Sequence, residues 1–151
     1  MSVDYIVASL QPLRFDGPPP YTWEGFVALL PDGQPPAASE RWRDLETQLR
    51  NAMAVARGGE KYCRETHGCD LYWRNRVTVV FQEKDPLKRE TALDRVWWDA
   101  AGELTPVASP LSSGALETYA IRLQILLRRN RISKENGDAI FGRLTDVEPK
   151  L

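Results

Sequence analysis

The chain has 151 residues, of which 42% are hydrophobic and 27% are charged. This composition is typical of a folded globular protein and excludes a disordered or fibrous chain. With 20 basic and 21 acidic residues the formal net charge is −1, so no global charge draws the chain to nucleic acid or to an anionic membrane. The sequence has no apolar run of about 18 residues and no signal-like amino terminus. We therefore expect a cytoplasmic protein that does not insert into a membrane.

The first part of the chain predicts a short extended segment followed by a short helix. Residues 5–10 form an apolar run that ends before Pro12, and we interpret this run as extended. Thr22 is a suitable N-cap for a helix with Phe26 on its buried side. The Pro-Asp-Gly sequence at 31–33 should end that helix, because proline and glycine favour turns.

The residues after Ser39 form the clearest helical pattern in the first half of the chain. Ser39 is a favourable N-cap residue, and the glycines Gly58 and Gly59 end the pattern, as glycine commonly does after a helix. The apolar residues recur at helical intervals, so we expect one face of this helix to lie in the core. These residues are Trp42, Leu45, Leu49, Ala52, Met53 and Ala56.

Residues 70–83 fit either a helix or a strand. The run Val-Thr-Val-Val-Phe at 77–81 is rich in β-branched residues, which favour strands. Trp73, Val77 and Val80 also fall on one face of a helix. We assign the segment to a helix.

Asp85 and Pro86 are a strong signal for the start of the next helix. Aspartate is a good N-cap, and proline at the first helical position loses no hydrogen bond. Adjacent residues on a helix point about 100° apart, so Trp97 and Trp98 face different directions, and we expect one of them to reach a second surface. The predicted buried stripe consists of Leu93, Trp97, Ala100, Ala101 and Leu104.

A second long helix is predicted after Pro110, with Ser112 or Ser113 as its N-cap. Its apolar surface is wide enough that it must be buried, either in the core of a bundle or against a partner. The main face consists of Leu116, Tyr119, Ala120, Leu123, Leu126 and Leu127, and Ile121 and Ile125 broaden it.

The basic run Arg-Arg-Asn-Arg at 128–131 is predicted to end this helix, where cations complement the negative end of the helix dipole. Ser133 then begins a last helix that carries Ile140, Leu144 and Val147. Together these patterns predict an all-α fold. We expect a single domain, residues 1–151, built as a bundle of five or six helices with a short extended segment at its amino terminus.

Metal-ligating residues occur together at only one place in the sequence, where Cys63 and Cys69 flank the only histidine, His67. They supply three ligands at most, whereas structural zinc sites are usually closed by four. A disulfide is not expected in a reducing cytosol. We therefore expect no metal and no cofactor. The single histidine also disfavours Ser-His-Asp or Cys-His catalysis.

Five segments carry a resemblance to a bacterial family: Tyr-Ile-Val-Ala-Ser-Leu at 5–10, Phe-Asp at 15–16, Asp-Pro-Leu-Lys-Arg-Glu at 85–90, Leu-Asp-Arg-Val-Trp-Trp-Asp at 93–99 and Tyr-Ala-Ile-Arg-Leu-Gln-Ile-Leu at 119–126. On these segments the chain resembles an uncharacterised family of domains of unknown function. Its members are encoded beside V-type ATPase genes, near the position expected for the subunit that couples the soluble rotor stalk to the membrane ring. The resemblance covers most of the chain.

The resemblance implies a helical, non-catalytic component or assembly adapter of a bacterial V/A-type rotary ATPase. Such a protein would contact stalk or ring subunits at the cytoplasmic side, peripheral to the inner membrane. Tryptophan and arginine are enriched in interface hot spots, which suggests contact residues on the long helices. The candidates are Trp98, Arg122, Arg128, Arg129 and Arg131.

Two other functions are compatible with the sequence. A single-stranded RNA-binding module would use residues 128–131 for phosphates and Trp73 or Trp98 for base stacking. The near-zero net charge disfavours this interpretation, because nucleic-acid-binding domains usually carry a basic surface. A small enzyme would use a carboxylate pair such as Glu90 and Asp94, four positions apart on one helix face. Such pairs are usually solvated surface.

Overall fold

The computed structural model describes the backbone of residues 2–146 and the side chains of residues 2–135. The described part is helical and contains no strand, which confirms the predicted all-α fold of five or six helices. Short 3-10 turns follow α2, α3 and α5. The six α-helices are α1 (Val3–Ser9), α2 (Trp23–Ala28), α3 (Glu40–Ala56), α4 (Leu71–Val80), α5 (Pro86–Ala101) and α6 (Ser113–Asp146).

Side-chain caps fix the starts of four helices. The side chains of Thr22, Ser39 and Asp85 each accept a hydrogen bond from a backbone N–H in the first turn of the following helix, which confirms these three predicted caps. Asp70 caps α4 in the same way. The helix assigned to 70–83 is also confirmed, because Val77 and Val80 occupy a helical face that the core buries.

The predicted extended segment at the amino terminus is wrong. Residues 5–10 lie largely within α1, whose Ile6 is buried. Ile6 and Leu10, four positions apart, pack against α6 beside Leu123. The run is therefore amphipathic at helical spacing, and the burial of that face outweighs a local preference for an extended chain.

The predicted break between two carboxy-terminal helices is also wrong. Helix α6 runs without interruption from Ser113 to Asp146, a length of about 50 Å at 1.5 Å per residue. No proline or glycine occurs between 128 and 133, so nothing stops the helix there. The arginines at 128–131 therefore lie in the middle of a helix and not at its negative end. Of the predicted last helix, Val147 and the side chains of Ile140 and Leu144 lie outside the described residues.

The core has two main parts, which α5 and α6 join. One part lies among α3, α4 and α5, where Leu49, Val77 and Val96 are fully buried. The other holds α1 and α2 against α6 through contacts of Phe26 with Leu123 and its neighbours. A smaller cluster of Phe15, Trp98, Ile125 and Leu126 packs between α5 and α6.

A buried carboxylate links the start of α3 to α6. Glu117 is buried, and its Oε2 accepts a hydrogen bond of 2.7 Å from the backbone N–H of Ser39. The negative charge lies at the amino-terminal end of α3, where the helix dipole stabilises an anion. The two residues are 78 positions apart in sequence, so this contact is tertiary.

The end of α5 and the start of α6 approach each other closely. Thr118 Oγ1 lies 2.8 Å from the backbone oxygen of Ala101 and 2.8 Å from Thr105 Oγ1. A Cβ added at Gly114 would lie 2.1 Å from the backbone oxygen of Leu104, a distance that no side chain can occupy. Gly114 is therefore required by packing against backbone.

We predict that Gly114→Ala destabilises the protein by about 3 kcal/mol, because α6 must move away from the preceding turn to accommodate the methyl group. Gly68→Ala is the control, since its Cβ would meet only the ends of two side chains, Gln48 Nε2 at 3.3 Å and Asp44 Oδ2 at 3.8 Å. Its effect should be clearly smaller. Denaturant unfolding of both variants measures the difference, and equal losses would contradict the packing constraint at Gly114.

Candidate partner-binding groove

The structure assigns Trp98 a structural position. Its side chain is buried, and its ring meets the Phe15 ring edge-on with centroids 5.5 Å apart. Trp97, on the next face of α5, is only partly buried. The prediction that the two tryptophans face different directions is confirmed. The more accessible one is Trp97, so its predicted place in the buried stripe is wrong. Trp98 is not accessible to a partner.

Arg122 fastens α6 to α5. Its Nε donates a hydrogen bond of 3.0 Å to the backbone oxygen of Trp98, and its guanidinium lies 5.1 Å from the centre of that ring. Burial lowers the pKa of Arg122 below its usual value, and the nearby charge of Asp99 partly opposes the shift. An arginine still titrates far above neutral pH, so Arg122 remains charged. Its Nε donor is therefore used within the protein.

Arg128 and Arg129 both pair with the buried carboxylate of Asp94 on α5. Arg128 Nη2 contacts Asp94 Oδ1, and Arg129 Nη1 lies 3.3 Å from Asp94 Oδ2. The Arg129 guanidinium also covers the Phe15 ring at 4.2 Å. The carboxylate of Asp94 therefore holds α6 against α5. The sequence suggested that Glu90 and Asp94 form a solvated surface pair, and for Asp94 this is wrong because its side chain is buried.

The five candidate contact residues thus divide into two groups. Trp98, Arg122 and Arg129 stabilise the junction of α5 and α6. The Arg128 side chain keeps half of its surface exposed, and Arg131 is exposed. All five residues lie on α5 and α6, but sequence spacing gave no sign that Asp94 is buried and pairs with two of the arginines.

An open groove of about 570 Å³ lies beside these residues, between α3, α5 and α6. Met53, Trp97 and Ile121 form apolar parts of its lining, and each is only partly buried. Each of the three helices contributes residues at helical spacing, so the groove follows the helix axes. Along α3 the lining extends from Trp42 to Arg57, about 22 Å at 1.5 Å per residue.

Charged side chains also line the groove. Arg50 on α3 is 70% exposed and lies 3.7 Å from Glu46. Arg57 lies 5.3 Å from the centre of the Phe81 ring, and Arg128 reaches the groove from α6. Aromatic residues, methionine and arginine, which all occur in this lining, are enriched in protein interfaces.

The loop that carries Cys63, His67 and Cys69 is pinned to α3. The backbone N–H of His67 donates a 2.6 Å hydrogen bond to Asp44 Oδ1, and this bond, with a second one from Gln48, lowers the pKa of the Asp44 carboxyl. Both cysteines are exposed free thiols. Among the described side chains, no group of three or more His, Cys, Asp or Glu residues is arranged to hold a metal ion.

Comparison with known proteins gives no matching family model, no matching curated protein and no matching solved structure. Within residues 2–146, no helix is both long and apolar enough to cross a membrane. The resemblance to the family encoded beside V-type ATPase genes therefore stays a prediction.

We predict that Asp94→Asn destabilises the protein by about 2 kcal/mol, because the amide leaves two arginines without a balancing charge at a mostly buried site. The solvent exposure of Arg128 keeps this value below that of a fully buried pair. Glu103→Gln is the control: it removes a partner of Arg41 at 3.7 Å in an exposed pair, and it should cost less than about 0.5 kcal/mol. Urea unfolding at neutral pH compares the two, and similar small losses would show that Asp94 does not hold the helices together.

Proposed function

We propose that this protein is a non-catalytic adapter of a bacterial V/A-type rotary ATPase, which it contacts at the cytoplasmic side through stalk or ring subunits. The sequence resemblance on segments such as 5–10 and 85–90 supports the choice of complex. One structural observation supports protein binding as the activity: the partly buried Trp97 lies in an open groove that arginines also line.

The composition of the groove fits a protein partner. Tryptophan and arginine contribute more binding energy at interfaces than other residues do. Trp97 shares the apolar part of the lining with Met53 and Ile121. The Arg50 side chain remains mostly exposed. A partner side chain inserted beside Trp97 would remove apolar surface from water and leave the arginines free to pair at the rim.

The structure weakens the RNA-binding alternative. Trp73 and Trp98, the two residues proposed to stack on bases, are both buried. Arg128 and Arg129, proposed to contact phosphates, already pair with Asp94. An RNA strand would have to compete with that carboxylate for them.

The first experiment is to tag the endogenous protein, solubilise membranes gently and identify the copurifying proteins. Recovery of stalk or ring subunits in a fixed ratio is expected for a permanent subunit, and substoichiometric recovery for an assembly factor. Recovery of no ATPase subunit would contradict the proposed function.

We predict that Arg50→Glu combined with Arg57→Glu lowers recovery of the ATPase subunits about tenfold, because two charges of the groove are reversed at roughly 0.7 kcal/mol each. Both side chains are exposed, so the fold should be retained. Both arginines line the groove. Arg64→Glu combined with Arg74→Glu is the charge-matched control, since both are exposed arginines that do not line the groove. Equal recovery from both variants would remove the groove from the interface.

A further inference from the structure

The α4–α5 hairpin has a second surface, distinct from the groove, on which large apolar side chains are exposed. Tyr72 is 59% exposed, Val79 is 63% exposed and Leu87 is 71% exposed. Tyr72 and Val79 are seven positions apart on α4 and therefore lie on one side of it. Exposed apolar residues that occur singly need no explanation, but a continuous patch of them marks an interaction site.

The patch is continuous because two shallow hollows join along α5. One hollow, of about 430 Å³, lies between the Tyr72–Val79 side of α4 and α5. The other, of about 510 Å³, lies between Leu87 and the buried side chain of Phe15. Ala92 and Arg95 line both hollows. We call this combined surface the outer face.

The outer face and the groove use different sides of α5. The groove is lined by Glu90, Leu93, Asp94 and Trp97, whereas the outer face is lined by Leu87, Lys88, Thr91, Ala92 and Arg95. At about 100° per residue, the centres of these two sets are roughly 140° apart around the helix. A partner on one side would therefore not block the other.

The charges around the outer face are predominantly basic. Arg76, Lys88 and Arg95 line it, with Asp16 as the one acidic residue in its lining. Asp99 pairs with both Arg76, at 2.7 Å, and Arg95, at 3.2 Å, so one carboxylate is shared by two guanidinium groups. Lys88 forms no ion pair with the described side chains. The face carries positive charge that its own carboxylates do not balance.

We propose that the outer face is a second docking site, which binds an acidic amphipathic helix of a partner protein. Tyr72 and Val79 lie about 10 Å apart along α4. Apolar contacts repeated at this distance match the apolar stripe of an amphipathic helix that binds in a groove. The small side chain of Ala92 on the floor lets a partner helix approach closely. Acidic residues beside the apolar stripe of that helix would pair with Lys88 and with the exposed side of Arg95.

A second copy of this chain does not fit the same surface. In a two-fold symmetric contact the same patch meets itself, so Lys88 and Arg95 would face the basic residues of the other copy. The proposed function does not use the outer face, so this second docking site holds whether or not the groove binds an ATPase subunit. If both are correct, the protein bridges two partners.

Site-specific photocrosslinking in the native cell tests the inference. p-Benzoylphenylalanine replaces Val79 in one variant and Leu87 in another, and it replaces Leu29 in the control, an exposed leucine outside the face. After irradiation, mass spectrometry identifies the crosslinked peptide. The expected result is the same partner segment from both positions, with acidic residues beside an apolar stripe of helical period, and no such product from Leu29.

The charge of the face is tested in the same experiment. Lys88→Glu in the Val79 crosslinking variant should lower the yield of that product roughly threefold to fivefold, the effect of a rim charge reversal. Lys84→Glu, an exposed lysine that does not line the face, should leave the yield unchanged.

Three outcomes would overturn the inference: no product above the Leu29 control, a product with a second copy of the chain, or a product with lipid. A product that does not depend on Lys88 would overturn the acidic character of the partner. An acidic helix from a protein outside the ATPase would support the outer face and leave the proposed function to be decided by the copurification experiment, so the two failures are distinguishable.

Discussion

The position of α6 depends on the close approach of Gly114 to the backbone of Leu104. Only glycine lets the helix begin there, and the Thr118 hydroxyl then reaches the carbonyl of Ala101 at the end of α5. The two contacts fix where α6 starts and how it lies against α5. Asp94, one helix turn before Trp98, holds the far part of the same junction through two arginines. The groove exists because these contacts keep α6 beside α5 while α3 lies at the other edge.

Helix α5 is the central element of the molecule, because each of its sides contacts something different. One side carries Val96 into the main core, and another carries Trp98 to Phe15 and α6. The remaining surface is divided between the groove at Trp97 and the outer face at Arg95. A helix with so many contacts is held rigidly, and side chains on a rigid element need little reorganisation when a partner binds.

The sequence was sufficient to predict the helices whose ends have strong local signals. Ser39 and Asp85 cap their helices as predicted because an N-cap hydrogen bond is made within a single turn. Two of the errors arise where residues distant in sequence determine the structure. Burial of Ile6 against α6 makes the amino terminus helical, and the pairing of Arg128 and Arg129 with Asp94 depends on a contact across more than thirty positions. No local pattern in α5 distinguishes the buried Asp94 from the exposed Glu90, so the groove was not predictable from sequence spacing.

The hydrogen bond between Glu117 and Ser39 also bears on how the chain folds during synthesis. The ribosome releases Ser39 well before Glu117, so α3 first forms without this hydrogen bond. Helices α3, α4 and α5 form a core of their own and have the means to associate early. The α1 and α2 segments, made first, must wait for Leu123 to emerge before they can bury their apolar sides. The amino-terminal helices are therefore among the last to dock, and until then their apolar residues are available to chaperones.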